Sequence, residues 1–197
     1  MSETSSTSLL GPRFEQALVY AAMLHAGQVR KSTPIPYVSH VLAVSAIALE
    51  HGANEDEAIA ALLHDAVEDC GGKPRLLDIR HRFGATVADI VAGCTDADVT
   101  PKPPWEERKR QYIEHVKTAS PSVLLVSCSD KVHNARSIVA DLRAGVDVFA
   151  LFKGGKDGTL WYYRSLLEIF QQRNVPPRLV AELARSVSEM QSLAGEV

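Results

Sequence analysis

Apolar residues recur three and four places apart along most of this chain, and no segment alternates apolar and polar residues at the period of a strand. That regularity restricts the fold to packed helices. Pro12 opens an amphipathic stretch to about Gly27, with Phe14, Leu18, Ala21, Ala22 and His25 at helical spacing. The segment Gln28–Tyr37 holds Pro34 and Pro36 and reads as an ordered loop. Ser39 is the expected N-cap of a helix from His40 to about Glu50, closed by Gly52. The next helix is expected from Glu55, where Glu55, Asp56 and Glu57 suit the positive end of the dipole, to Cys70. Shorter helices follow at about Arg75–Phe83 and Thr86–Cys94, then a polar, proline-containing loop from Thr95 to Pro104. Trp105–Lys117 is a charged helix with little apolar face, and Ser122–Arg143 is long, largely apolar and the expected centre of the bundle. Gly145–Gly158 reads as a loop rich in Gly and Lys, and Thr159–Arg173 and Pro177–Leu193 as two closing helices. The expectation is an all-α, single-domain bundle of roughly eight to ten helices over residues 12–197, with residues 1–11 a disordered lead-in.

Composition narrows the function classes. Hydrophobic residues make up 46% of the 197, enough for a core without disulfides or a structural metal. A formal charge of −3 argues against broad electrostatic binding to nucleic acid. Cys70, Cys94 and Cys128 are odd in number and widely spaced, as reduced thiols of a cytoplasmic protein would be. The Ser/Thr-rich start has no apolar h-region, and no window approaches 18 uninterrupted apolar residues. A cytoplasmic protein without a membrane partner is therefore expected.

Two helices carry polar groups where a core is expected. In the first, His64-Asp65-Ala66-Val67-Glu68-Asp69 follows the apolar run Ala58, Ile59, Ala61, Leu62, Leu63. His64 and Glu68 are four apart, as are Asp65 and Asp69, so the four side chains form one patch on a regular helix. Burying it costs several kcal/mol unless a cation or hydrogen bonds compensate. In the second helix Asp130 follows the run Val123–Ser129, with Asn134 one turn on. His40 heads a third helix. One cation would neutralise the set His40, His64, Asp65 and Asp130, a mixed N/O site suited to Mn²⁺, Fe²⁺ or Zn²⁺ rather than Mg²⁺ or Ca²⁺, with positions left open. Glu68 and Asp69 are placed to orient or deprotonate a water.

His40, His64-Asp65 and Asp130 resemble the H…HD…D signature of HD-superfamily phosphohydrolases. The longer context is more specific: residues 25–32 (HAGQVRKS), 36–40 (PYVSH), 64–69 (HDAVED) and 130–136 (DKVHNAR) resemble the alarmone-hydrolase branch, which comprises small alarmone hydrolases and the hydrolase domain of Rel/SpoT enzymes. The resemblance covers about residues 14–170. It implies an HD-type bundle that removes the 3′-pyrophosphate of a (p)ppGpp- or (p)ppApp-type nucleotide, with one divalent metal, usually Mn²⁺. It also implies that Arg30, Lys31 and Ser32 line the nucleotide pocket, that Glu68 and Asp69 take part in catalysis, and that Asn134 reaches the ribose and Tyr162 the base and phosphate. Thr33 stands where the pattern has Gly, and Val41 where it has Pro, which bears on base preference. The chain ends soon after the matched region, so a hydrolase without a synthetase domain is expected. Lys153 and Lys156, in the segment Lys153-Gly154-Gly155-Lys156-Asp157-Gly158, would supply further cations for a polyphosphate, although the spacing is not that of a P-loop.

Other polar residues read more simply. His51, His81 and His115 are taken as surface or core histidines, and His25 as either a packing residue or a support to the site. His133 is placed on a different face from Asp130, in a structural or supporting role. Asp96 and Asp98 read as loop caps, and the run Glu106, Glu107, Arg108, Lys109, Arg110 as a solvated helix face. Two further functions stay open, an HD-type nucleotidase or phosphatase on another nucleotide and a non-catalytic nucleotide sensor. Base preference and oligomeric state are left open.

Overall fold

The computed structural model describes residues 10–31, 33–96, 101 and 103–195. Eleven helical segments order them, α1 (Pro12–Leu24), α2 (Val38–Glu50), α3 (Glu55–Leu63), α4 (Ala66–Asp69), α5 (Gly72–Phe83), α6 (Ala85–Cys94), α7 (Trp105–Val116), α8 (Pro121–Arg143), α9 (Val148–Leu151), α10 (Gly155–Gln172) and α11 (Pro177–Leu193). Among the described residues there is no strand. A single antiparallel bridge, Val29 to Pro36, pinches the loop between α1 and α2. The Arg30 N–H donates to the Ile35 carbonyl and the Tyr37 N–H to the Gln28 carbonyl, each at 2.8 Å, so the proline-containing loop is a fixed, hairpin-like arm.

Local chemistry sets the helix starts. α1, α8 and α11 each begin on a proline, whose missing N–H is an orphan position anyway. Asn54 caps α3 in a full capping box. Its side chain accepts from the Glu57 N–H, and the Glu57 carboxylate accepts from the Asn54 N–H. Ser120 caps α8 by accepting from the Val123 N–H.

α8 is the central element. Its apolar residues from Val123 to Val139 are buried, and it packs against α2, α3, α6 and α11. After a half-exposed first turn, α3 is buried on every side, with Ala58 through Leu63 inaccessible. α11 supplies an amphipathic lid, turning Leu179, Leu183, Val187 and Met190 inward. Together these helices fix the positions of the residues on α2, α3 and α8 from which the site is built.

Several expected boundaries shift. The helix expected over Glu55–Cys70 is two, broken by a turn at His64-Asp65. Ser39 caps nothing: α2 begins at Val38, after Tyr37, and the Ser39 hydroxyl donates to the Pro36 carbonyl. The segment expected as one loop, Gly145–Gly158, contains α9 and the first turn of α10. Its glycines make room for an aromatic ring, because a Cβ on Gly154 would meet Trp105 at 2.6 Å. α7 is more apolar than expected, burying Tyr112, Ile113 and Val116, and it turns Arg108 inward as well. Of the expected lead-in, residues 1–9 lie outside the described residues, while the Gly11 N–H donates to Glu55 Oε1 at 2.6 Å.

Candidate active site

Two helices and one turn aim four side chains at a common point. His40 comes from the first turn of α2, His64 and Asp65 from the break between α3 and α4, and Asp130 from the middle of α8. His40, His64 and Asp65 offer ligand atoms that all lie within 4.8 Å of one another. His40 Nε2 is 3.3 Å from Asp65 Oδ2 and 3.2 Å from Asp130 Oδ1. His64 Nε2 is 3.0 Å and 3.6 Å from the same two oxygens. The break at His64-Asp65 has a use here, since it brings two successive residues to bear on one point where a continuous helix would splay them about 100° apart.

The imidazoles are held so that Nε2 faces that point. His64 Nδ1–H donates to the Ala61 carbonyl at 2.8 Å, which turns Nε2 toward that point. His40 Nδ1 is 2.8 Å from His133 Nδ1. Burial and the neighbouring His40 push the His133 pKa down to about 4. Both Nε2 atoms are buried, and although the carboxylate oxygens lie 3.0 to 3.6 Å away, neither nitrogen makes an aligned hydrogen bond among the described residues. Burial opposes ionisation throughout, yet Asp65 and Asp130 are held well below the ordinary carboxylate range, Asp65 by His64 and His40, Asp130 by Lys131 and the same imidazoles. His64 moves oppositely, with the two carboxylates outweighing its desolvation and raising its pKa well above the usual value. A donor set of two buried, orphaned imidazole nitrogens and two ionised carboxylates fits a divalent cation.

The surrounding shell is ordered by hydrogen bonds. Tyr37, between the rings of His25 and His40, donates its hydroxyl to Asp65 Oδ2 at 2.6 Å. Lys131 and Asn134 donate to the two oxygens of Asp130. Gln28 donates to Asp69 Oδ2 at 2.8 Å, and its own carbonyl is 2.7 Å from His25 Nδ1. Asp69 and Glu68 line a cavity of about 190 Å³ that also reaches His64, Asp65 and Asp130.

A larger cavity of about 640 Å³ adjoins it, walled by the α1–α2 arm, α7, α8, α9 and α10. Arg30 donates to Asn134 Oδ1 at 2.9 Å and lies over the Tyr37 ring. Lys31 donates to the Leu151 carbonyl and sits 5.6 Å from the Phe152 ring centroid. Both line this cavity, as do Lys153, Asn134 and Tyr162. Tyr162 is buried, and its hydroxyl has no partner among the described residues. Ser32 lies outside the described residues, as does Asp98.

Lys156 departs from expectation. Its Nζ is 3.4 Å from the Ala194 carbonyl and it lines neither cavity, because the first turn of α10 carries it toward the end of α11. His133 shares a face with Asp130, three residues away on α8, and supports His40. Asp96 is no simple loop cap and Arg108 and Lys109 are not solvated: both cations pair with Asp96 in the interior. Tyr37 and Gln28 as supports and the Asp96 cluster go unread in the sequence, and His133, read there as a support, is not joined to His40, because each depends on a partner 12 to 93 residues away.

The chain matches the model of a family described as HD domain over residues 17–160. It is 37% identical over 137 residues to "Guanosine-3′,5′-bis(diphosphate) 3′-pyrophosphohydrolase MESH1" of Danio rerio, covering 68% of this chain and 71% of that one. It is 31% identical over 132 residues to "Bifunctional (p)ppGpp synthase/hydrolase SpoT" of Escherichia coli strain K12, covering 64% of this chain and 18% of that one. A solved structure described as "A metazoan ortholog of SpoT hydrolyzes ppGpp and plays a role in starvation responses" superimposes with a TM-score of 0.74 at 29% identity, covering 95% of this chain and 98% of the other.

Proposed function

Because this chain belongs to the HD domain family, we propose that it is a metal-dependent phosphohydrolase that removes the 3′-pyrophosphate of alarmone nucleotides of the (p)ppGpp or (p)ppApp type. The relatives named above as ppGpp hydrolases support the substrate class. The observation that carries the reading is the pair of buried, unpartnered Nε2 atoms on His40 and His64, facing Asp65 and Asp130 beside a cavity of nucleotide size. His40, His64, Asp65 and Asp130 would hold one divalent ion, for which Mn²⁺ suits the mixed N/O donors. Such an ion would lower the pKa of water toward about 7.

The chain's own residues supply the rest. Glu68 and Asp69 orient the water and take its proton. Gln28 pins one oxygen of Asp69, leaving the other for that water. The water oxygen adds to the phosphorus on the ribose 3′-oxygen, that P–O bond breaks, and a proton ends on the 3′-oxygen as pyrophosphate leaves. Arg30, Lys31 and Lys153 are cations for the phosphates, with Ser32 next to Lys31 in sequence. Asn134 stands between metal residues and ribose, and Tyr162 walls the pocket. Lys156 lines neither cavity. Residues 12–197 act as one hydrolase domain. No helix among the described residues is long and apolar enough to cross a membrane.

The test is a pair of substitutions read against metal binding. Asp65→Ala and Asp130→Ala each abolish Mn²⁺-dependent pyrophosphate release and weaken Mn²⁺ binding. Full activity in either variant would remove that residue from the site.

A further inference from the structure

We propose that Lys109, tethered by Asp96, grips the substrate's diphosphate at the neck between the two cavities, an inference that rests on the phosphohydrolase reading above. Tyr37, Lys109, Asn134 and Tyr162 line both cavities, and Lys109 is the one cation among these four. A nucleotide with its base and ribose in the larger cavity and its scissile phosphorus facing the metal residues must pass its diphosphate through that neck.

Lys109 is built for the position. Its Nζ lies 2.7 Å from Asp96 Oδ2 and 4.7 Å from the Tyr162 ring centroid, so the ammonium is fixed in place and does not sweep through solvent. Arg108 also binds Asp96, so a single carboxylate faces two cations and the cluster keeps a net positive charge. Lys131 lies 5.8 Å from the same ring but is committed to Asp130. Desolvation, with the neighbouring Lys131, also lowers the Lys109 pKa, so an arriving anion is favoured there. Phosphate oxygens entering the neck meet an ammonium already stripped of much of its water, where charge-assisted hydrogen bonds are strongest.

The experiment is binding of manganese pyrophosphate to the Mn²⁺-loaded full chain, followed by melting temperature against ligand concentration. Lys109→Met, which keeps the stem against Tyr162 and removes the charge, is expected to bind about tenfold or more weakly, the scale of one charged hydrogen bond. Lys109→Arg is expected to stay closer to the wild type, with Mn²⁺ affinity unchanged in both. If Lys109→Met gives no cooperative melt, Lys109→Gln replaces it. Equal affinity in the neutral variant and the wild type, or no binding by the wild type, would overturn the proposal. Failure of the hydrolase reading shows separately, as absence of pyrophosphate release from nucleotides by the wild type.

Discussion

His40 and His64 each keep one ring nitrogen buried and unsatisfied, a condition a protein interior tolerates only where something else completes it. Their Nδ1 atoms are occupied, by His133 and by the Ala61 carbonyl, so the two Nε2 atoms have a fixed direction. Asp65 and Asp130 answer them across 3.0 to 3.6 Å. This much could be read from the chain, because acids set into apolar helical runs need a compensating partner. The partners of the supports could not: His133 reads as a support, but not as one that meets His40, 93 residues away, and Lys109 sits in a charge run that looks solvated until Asp96 is placed beside it. At this scale the account predicts that Glu68→Gln retains Mn²⁺ affinity but slows turnover by about 10² or more. Unchanged turnover would take Glu68 out of the chemistry.

Helix identities were legible from periodicity, and the ends less so. The Asn54-Glu57 capping box follows the N-x-x-E spacing and stood open to be read beside the acidic residues that drew attention to that end. Asn54→Ala should destabilise the fold by about 1 kcal/mol in chemical denaturation, and no change would mean the box is not formed in solution. The turn at His64-Asp65 left no local signal, since both neighbours favour helix. The side chains that meet at this turn come from three elements, a tertiary arrangement. The Gly/Lys segment misled for a related reason. Gly154 is required by the approach of Trp105, so Gly154→Ala should cost about 1–3 kcal/mol and disturb the cavity wall that Trp105 forms. A wild-type melt in that variant would show that the ring can move aside.

Taken as a whole molecule, the bundle brings a polar, metal-facing cavity and a larger, aromatic and cationic one together along α8. The all-α class and the four central residues followed from the sequence because they depend on patterning within helices. The adjoining cavities depend on how the α1–α2 arm, α7 and α10 meet, which no local pattern encodes. If the four side chains bind an ion only when brought together, Mn²⁺ stabilises the folded state alone, by about 2.7 kcal/mol at a hundredfold excess over its Kd. Thermal melts with and without Mn²⁺ should show that rise in the wild type and lose it in Asp130→Ala.

The most direct measurement is release of pyrophosphate by the Mn²⁺-loaded chain from guanosine and adenosine nucleotides carrying a 3′-pyrophosphate, with a chelated control. The account predicts release from at least one of them that stops on chelation, and the ratio between the two gives the base preference. No release from either, with Mn²⁺ bound, would contradict the assignment of an alarmone 3′-pyrophosphohydrolase.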